Sequence, residues 1–96
     1  MKFEIHLTFY FKDAWGVVAI GRQFHWKHSV FEGDPILGKD KYFYLTKYAD
    51  SKEKALEYIA AIKVELETQC FPLIREKIEE IVHDIRHIDV KGPGAE

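Results

Sequence analysis

The chain has 96 residues and a formal net charge of -2, a length that suits one domain and a balance that gives no overall attraction to phosphate backbones or anionic membranes. One cysteine, Cys70, excludes an intramolecular disulfide. No apolar run approaches the roughly 20 residues a membrane helix needs, and charges within Met1-Lys2-Phe3-Glu4-Ile5-His6 do not suit a signal segment, so a cytoplasmic location with no membrane partner is expected.

Residues 2–12 alternate, with Phe3, Ile5, Leu7, Phe9 and Phe11 on one face and Lys2, Glu4, His6, Thr8, Tyr10 and Lys12 on the other. A period of two in β-forming residues predicts a half-buried strand. Residues 13–24 fit a short helix from Ala14 to Ile20 capped by Asp13, or an irregular turn, because Gly16 and Gly21 weaken a helix and Val17-Val18 also suits a strand. Residues 25–32 read as a second strand, broken by Gly33-Asp34-Pro35, with Gly38-Lys39-Asp40 extending the loop. Residues 41–48 alternate again and form a third strand, antiparallel to the second. Phe43 and Leu45 point one way; Tyr42, Tyr44, Thr46 and Tyr48 point the other.

Asp50-Ser51-Lys52-Glu53 reads as a capping box opening a helix to about Gln69. Its apolar stripe is Ala55, Leu56, Ile59, Ile62 and Leu66. Residues 71–90 admit two readings. Ile74, Ile78, Ile81, Val82, Ile85 and Ile88 match helical spacing, with Pro72 at a helix start. The same residues are β-branched, and Ile74, Ile78 and Val82 share one strand face, interrupted by Glu76 and Glu80. A strand there completes a ferredoxin-like β-α-β-β-α-β order; a helix gives three strands followed by a helical pair. The expected fold is therefore α+β, an antiparallel sheet with helices on one face, spanning residues 1–90, with 91–96 as a loose tail.

Seven Phe, five Tyr and two Trp are many rings for so thin a core, so some are expected on a surface. Packing Phe3, Ile5, Leu7, Phe9, Phe43 and Leu45 on the helices leaves a polar-aromatic face carrying His6, Thr8, Tyr10, Tyr42, Tyr44 and Thr46, with Tyr48 beyond them. That face is the candidate binding surface for a small molecule, a protein or a second copy of the chain, with a homodimer expected. An ordinary solvated face with cross-strand tyrosine pairs is the plainer alternative. His6, Tyr10, Tyr42 and Tyr44 are expected to be dispensable for folding.

His6-Leu7-Thr8-Phe9 resembles one His-x-Thr-x tetrapeptide of the two-histidine phosphoesterases. That resemblance implies His6 as acid or base and Thr8 as an oxygen-binding group. The family uses two such tetrapeptides, and this chain has one; His87-Ile88-Asp89 lacks the threonine. Tyr42, Tyr44, Leu45 and Tyr48 resemble the third-strand pattern of RNA-recognition modules, but the glycine, the aromatic spacing and the charge depart from it, so nucleic acid is not an expected partner. Acylphosphatases resemble the chain only in size and expected fold; their catalytic asparagine has no counterpart, since the chain contains no Asn.

His25 and His28 would point to opposite faces of a strand, while His83 and His87 have helix-face spacing without a third ligand. No metal or other cofactor is expected. Cys70 is expected to be a small buried apolar residue. A non-enzymatic role is expected over an enzymatic one, with phosphoester hydrolysis through His6 and Thr8 as the alternative.

Overall fold

Alternating apolar residues build the sheet, and two amphipathic helices cover one side of it. The computed structural model describes residues 2–34 and 38–81. Its elements are β1 (Lys2–Tyr10), a 3-10 turn (Phe11–Asp13), α1 (Ala14–Gln23), β2 (Lys27–Asp34), β3 (Gly38–Ala49), α2 (Lys52–Thr68) and β4 (Arg75–Ile81). The four strands lie in the order β2-β3-β1-β4, and each neighbouring pair is antiparallel. The open question over residues 71–90 resolves to a strand across Arg75–Ile81. Val82, Ile85 and Ile88, the His83/His87 pair and the tail at 91–96 lie outside the described residues, as does the centre of the loop at 35–37. No helix among the described residues is long and apolar enough to cross a membrane.

Register places the core. Ile5, Leu7 and Phe9 stand beside Lys47, Leu45 and Phe43 on one face, and all but Lys47 join one buried cluster with Val17, Ile20, Trp26, Ala49, Ala55, Ile59, Ile62 and Leu66. Phe3 is only half-buried, at the end of its strand. Phe11, expected on the core face, is 42% exposed because β1 ends at Tyr10 and the chain turns there. Leu56, expected in the α2 stripe, is 51% exposed. Ala55, Ile59, Ile62 and Leu66 already form a line at helical spacing, and Leu56 lies one residue round the helix from it.

The helix ends are the least sequence-obvious feature. Ser51 Oγ accepts from the Lys54 N–H at 3.1 Å, so the N-cap of α2 is Ser51. Asp13, the expected cap of α1, occupies the cap position without making a side-chain cap bond. Both helices then close in the same way. In α1, Trp26 N donates to Gly21 O (2.8 Å) and His25 N to Arg22 O (3.2 Å); in α2, Phe71 N donates to Leu66 O (2.9 Å) and Cys70 N to Glu67 O (3.1 Å). This paired-bond cap needs a left-handed residue, and here those residues are His25 (φ 65) and Cys70 (φ 61) instead of glycine. The next residue in each case is aromatic and folds back onto the core: Trp26 within it, Phe71 against it. Cys70 is therefore exposed at a cap, not buried as expected. Cys70→Gly should raise stability by about 0.5–1 kcal/mol, since a side chain in that backbone region costs about 1–2 kcal/mol and glycine's added unfolded-state freedom offsets part of the gain. A urea midpoint at or below wild type would show that the left-handed conformation carries no strain.

Lys47 completes the α1 terminus from β3. Its Nζ donates to Phe24 O at 3.0 Å and His25 O at 3.2 Å and lies 4.8 Å from the centre of the Tyr58 ring. A cation on the last carbonyls of a helix satisfies unpaired acceptors and complements the helix dipole.

The two helical glycines are sites of close approach. A methyl at Gly16 would overlap the Phe71 ring, and one at Gly21 would come within 2.8 Å of the buried Leu45 Cδ2. Gly16→Ala is expected to destabilise: the gain in helix preference is about 1 kcal/mol, and overpacking typically costs about 1–3 kcal/mol. A higher urea midpoint for Gly16→Ala would mean that Phe71 moves aside freely.

Candidate functional site

The helix-free face is a grid whose rows follow from strand register. One row runs Glu79, Glu4, Tyr48; the next Lys77, His6, Thr46, Lys27; the next Arg75, Thr8, Tyr44, Ser29; the last described pair is Tyr10 with Tyr42. All six expected site residues, His6, Thr8, Tyr10, Tyr42, Tyr44 and Thr46, therefore share one face on the two central strands. The alternation of β1 and β3 dictates this, because each residue pairs with one of the same parity across the ladder.

The face is not uniformly solvated. Tyr10 and Tyr48 are each 45% exposed, but Tyr44 is 6% exposed and Thr8 only 1%. His6, Tyr42 and Thr46 are half-buried. The expectation that Tyr44 is dispensable for folding is thus corrected: the centre of the face is buried, and solvent reaches its edges. Among the described residues, Thr8 Oγ1 is buried with no hydrogen-bond partner, an arrangement that costs roughly 1–3 kcal/mol.

Around His6 the polar groups converge. Nδ1 lies 3.2 Å from Thr46 Oγ1. Nε2 lies 3.5 Å from Glu4 Oε2 and 3.6 Å from Glu79 Oε1. The Tyr48 hydroxyl donates to Glu4 Oε2 at 3.1 Å, and Lys77 Nζ lies 3.2 Å from Glu79 Oε2. Glu4 and His6 come from alternate positions of β1, and Glu79 stands directly across from Glu4 on β4. Glu4, His6 and Glu79 offer ligand atoms that all lie within 4.8 Å of one another.

Compared with known families, curated proteins and solved structures, the chain has no match.

Sequence reasoning singled out His6 but not its carboxylate neighbours. Glu4 was legible as a same-face residue two positions away. Glu79 was not, because 73 positions separate it from His6 and only the β1–β4 register joins them. The other described histidines stand apart: His28 stacks on Phe43 on the helix-covered side, and His25 is an exposed cap residue. In a sheet the neighbours that matter lie across strands.

Proposed function

We propose that the chain is a non-enzymatic interaction or small-ligand-binding domain, ferredoxin-like in plan, which works through its helix-free face and pairs there with a second copy of itself. Support for the plan comes from the element sequence β-α-β-β-α-β together with β1 and β3 at the centre of the sheet. The observation that carries the functional reading is the set of rings at the edges of that face. Tyr10 and Tyr48 are each 45% exposed beside half-buried His6 and Tyr42, around the buried Thr8 and Tyr44. Tyrosine supplies contact area with few rotors to freeze and a hydroxyl that stays hydrogen-bonded when covered, which suits a surface that closes against something.

Tyr10→Ala and Tyr42→Ala should each weaken self-association by about 1–2 kcal/mol or more, as truncations of buried interface anchors do. Sedimentation equilibrium of wild type and both variants reads this directly, with thermal melts as the control for folding. A wild-type chain that stays monomeric across the accessible concentration range would sink the dimer. In that case the Tyr10–Tyr42 pair is a cross-strand contact contributing a few tenths to about 1 kcal/mol.

The alternative reading, a phosphoester hydrolase using His6 and Thr8, has the shared face in its favour. Against it, two carboxylates stand within 3.6 Å of the imidazole and repel an approaching phosphate, and the Thr8 side chain is buried.

A further inference from the structure

We infer that Glu4, His6 and Glu79 form a binding site for one first-row divalent cation, zinc by preference, at the end of the helix-free face. The site deepens the ligand-binding reading above by naming a ligand class, and it uses neither Tyr10 nor Tyr42, the tyrosines whose truncation tests self-association.

The geometry brings one imidazole and two carboxylates together at one end of the face. Zinc bonds of about 2.0–2.1 Å to nitrogen and oxygen in a tetrahedron set neighbouring ligand atoms about 3.3–3.4 Å apart. His6 Nε2 stands 3.5 Å from Glu4 Oε2 and 3.6 Å from Glu79 Oε1, and the three residues offer ligand atoms that all lie within 4.8 Å of one another. Small side-chain adjustments close that triangle on a common ion, and the fourth position opens to solvent.

Each ligand residue also contacts a group outside the set. Thr46 Oγ1 lies against His6 Nδ1 at 3.2 Å; an Nδ1–H donated there leaves the Nε2 lone pair facing the carboxylates. The Tyr48 hydroxyl donates to Glu4 Oε2 at 3.1 Å, the same oxygen that faces His6 Nε2. Lys77 Nζ takes Glu79 Oε2 at 3.2 Å, which turns Oε1 toward His6. Such outer contacts orient metal ligands, and losing one typically weakens binding about 10–100-fold.

An independent observation asks for a cation here. Glu4 and Glu79 are directly opposite in the β1–β4 register, and like charges directly across an antiparallel pair are destabilising. Lys77 engages only the far oxygen of Glu79. The near oxygens face His6 Nε2, so a cation bound there would offset that repulsion. One imidazole with two carboxylates selects zinc or a neighbouring transition ion over magnesium or calcium, which favour all-oxygen shells.

The test is calorimetric titration of the full chain with zinc chloride, after chelator treatment and desalting, in a Cys70→Ser background that removes the thiol. One equivalent should bind, and a matched excess of magnesium should not displace it. His6→Ala and Glu79→Gln should each weaken binding at least tenfold. All three side chains retain solvent exposure, so these variants should melt like the parent in chelator, which separates lost binding from lost folding. Zinc should raise the melting temperature of the parent and not that of His6→Ala, since a ligand that binds only the folded state stabilises it. The His6 Nε2 nitrogen resonance should move on zinc addition. Zinc affinity unchanged by His6→Ala and Glu79→Gln, or no zinc-dependent rise in the melting temperature, overturns the site. Tyr10→Ala should bind zinc as the parent does, so failure of the dimer and failure of the metal site are distinguishable.

Discussion

Leu7→Ala is expected to destabilise the domain by about 2–5 kcal/mol, the range found for buried leucine truncations that leave a partly collapsed cavity. Leu7 has no exposed surface and sits on β1 between β3 and β4, opposite Leu45 and Glu76. Sheet neighbours flank it on both sides and the helices cover it, so the surrounding atoms have little freedom to fill the space. The upper part of the range is expected for that reason. A domain of this size has only about 5–15 kcal/mol of stability in total, so the variant should lose a large fraction of it. Urea unfolding at constant slope reads the loss, and Leu7→Met, which nearly conserves volume, should cost under about 1.5 kcal/mol. A Leu7→Ala loss below half a kcal/mol would mean that the two faces of β1 are assigned the wrong way round. Chelator is not expected to unfold the chain, because this core forms without any metal ligand.

The strand faces were legible in the sequence because a period of two survives in both central strands. Phe3 through Phe9 and Phe43 with Leu45 mark the helix side without ambiguity, and the antiparallel pairing of β2 with β3 was read correctly, although β2 continues to Asp34 and β3 begins at Gly38, past the glycines expected to break them. The α2 stripe was legible except at Leu56, where composition shows an apolar residue but only packing shows that the line from Ala55 to Leu66 is already full.

The β4 strand was hard for a physical reason. It is an edge strand whose helix-side positions include Glu76, which meets Lys63 of α2 at 3.1 Å and so escapes the apolar pattern. The helix ends were hidden because their left-handed positions hold His25 and Cys70, and the usual marker of such a cap is glycine. Their signal lay one residue on, in the aromatic side chains of Trp26 and Phe71 that return to the core. Both helices thus pass into the following strand through one local device, which spacing alone does not disclose. Of the candidate site, the shared face was readable from parity. The burial at its centre and the approach of Glu79 were not, because both depend on which strands are neighbours.

Tyr44→Ala is expected to cost about 3–5 kcal/mol, in the range of large aromatic truncations in cores. Tyr10→Ala should stay within about half a kcal/mol to 1 kcal/mol of wild type, as exposed substitutions do. The two residues sit on the same face, one on each central strand, and their pattern in the sequence is indistinguishable. Burial separates them: Tyr44 is 6% exposed and Tyr10 is 45% exposed. Tyr44 lies in the row of Thr8, Arg75 and Ser29, where Thr8 is also buried, so removing the ring would open a hole in an already covered region. Tyr44→Phe keeps the ring volume and should lose no more than roughly 1.5 kcal/mol, the net contribution of a typical hydrogen bond. For a domain of this length each kcal/mol corresponds to roughly 4–8 °C of melting temperature, so Tyr44→Ala and Tyr10→Ala should differ by a margin that thermal melting resolves easily. Sedimentation of the same proteins then assigns the second role. If the proposed dimer forms, Tyr10→Ala should dissociate it while folded, whereas Tyr44→Ala should lose association only along with its fold. If Tyr44→Ala melts within a degree or two of wild type, the centre of the face is solvated, and all four tyrosines belong to one open surface. If both variants melt low, the face is structural at its edges as well, and association has to be sought elsewhere on the molecule.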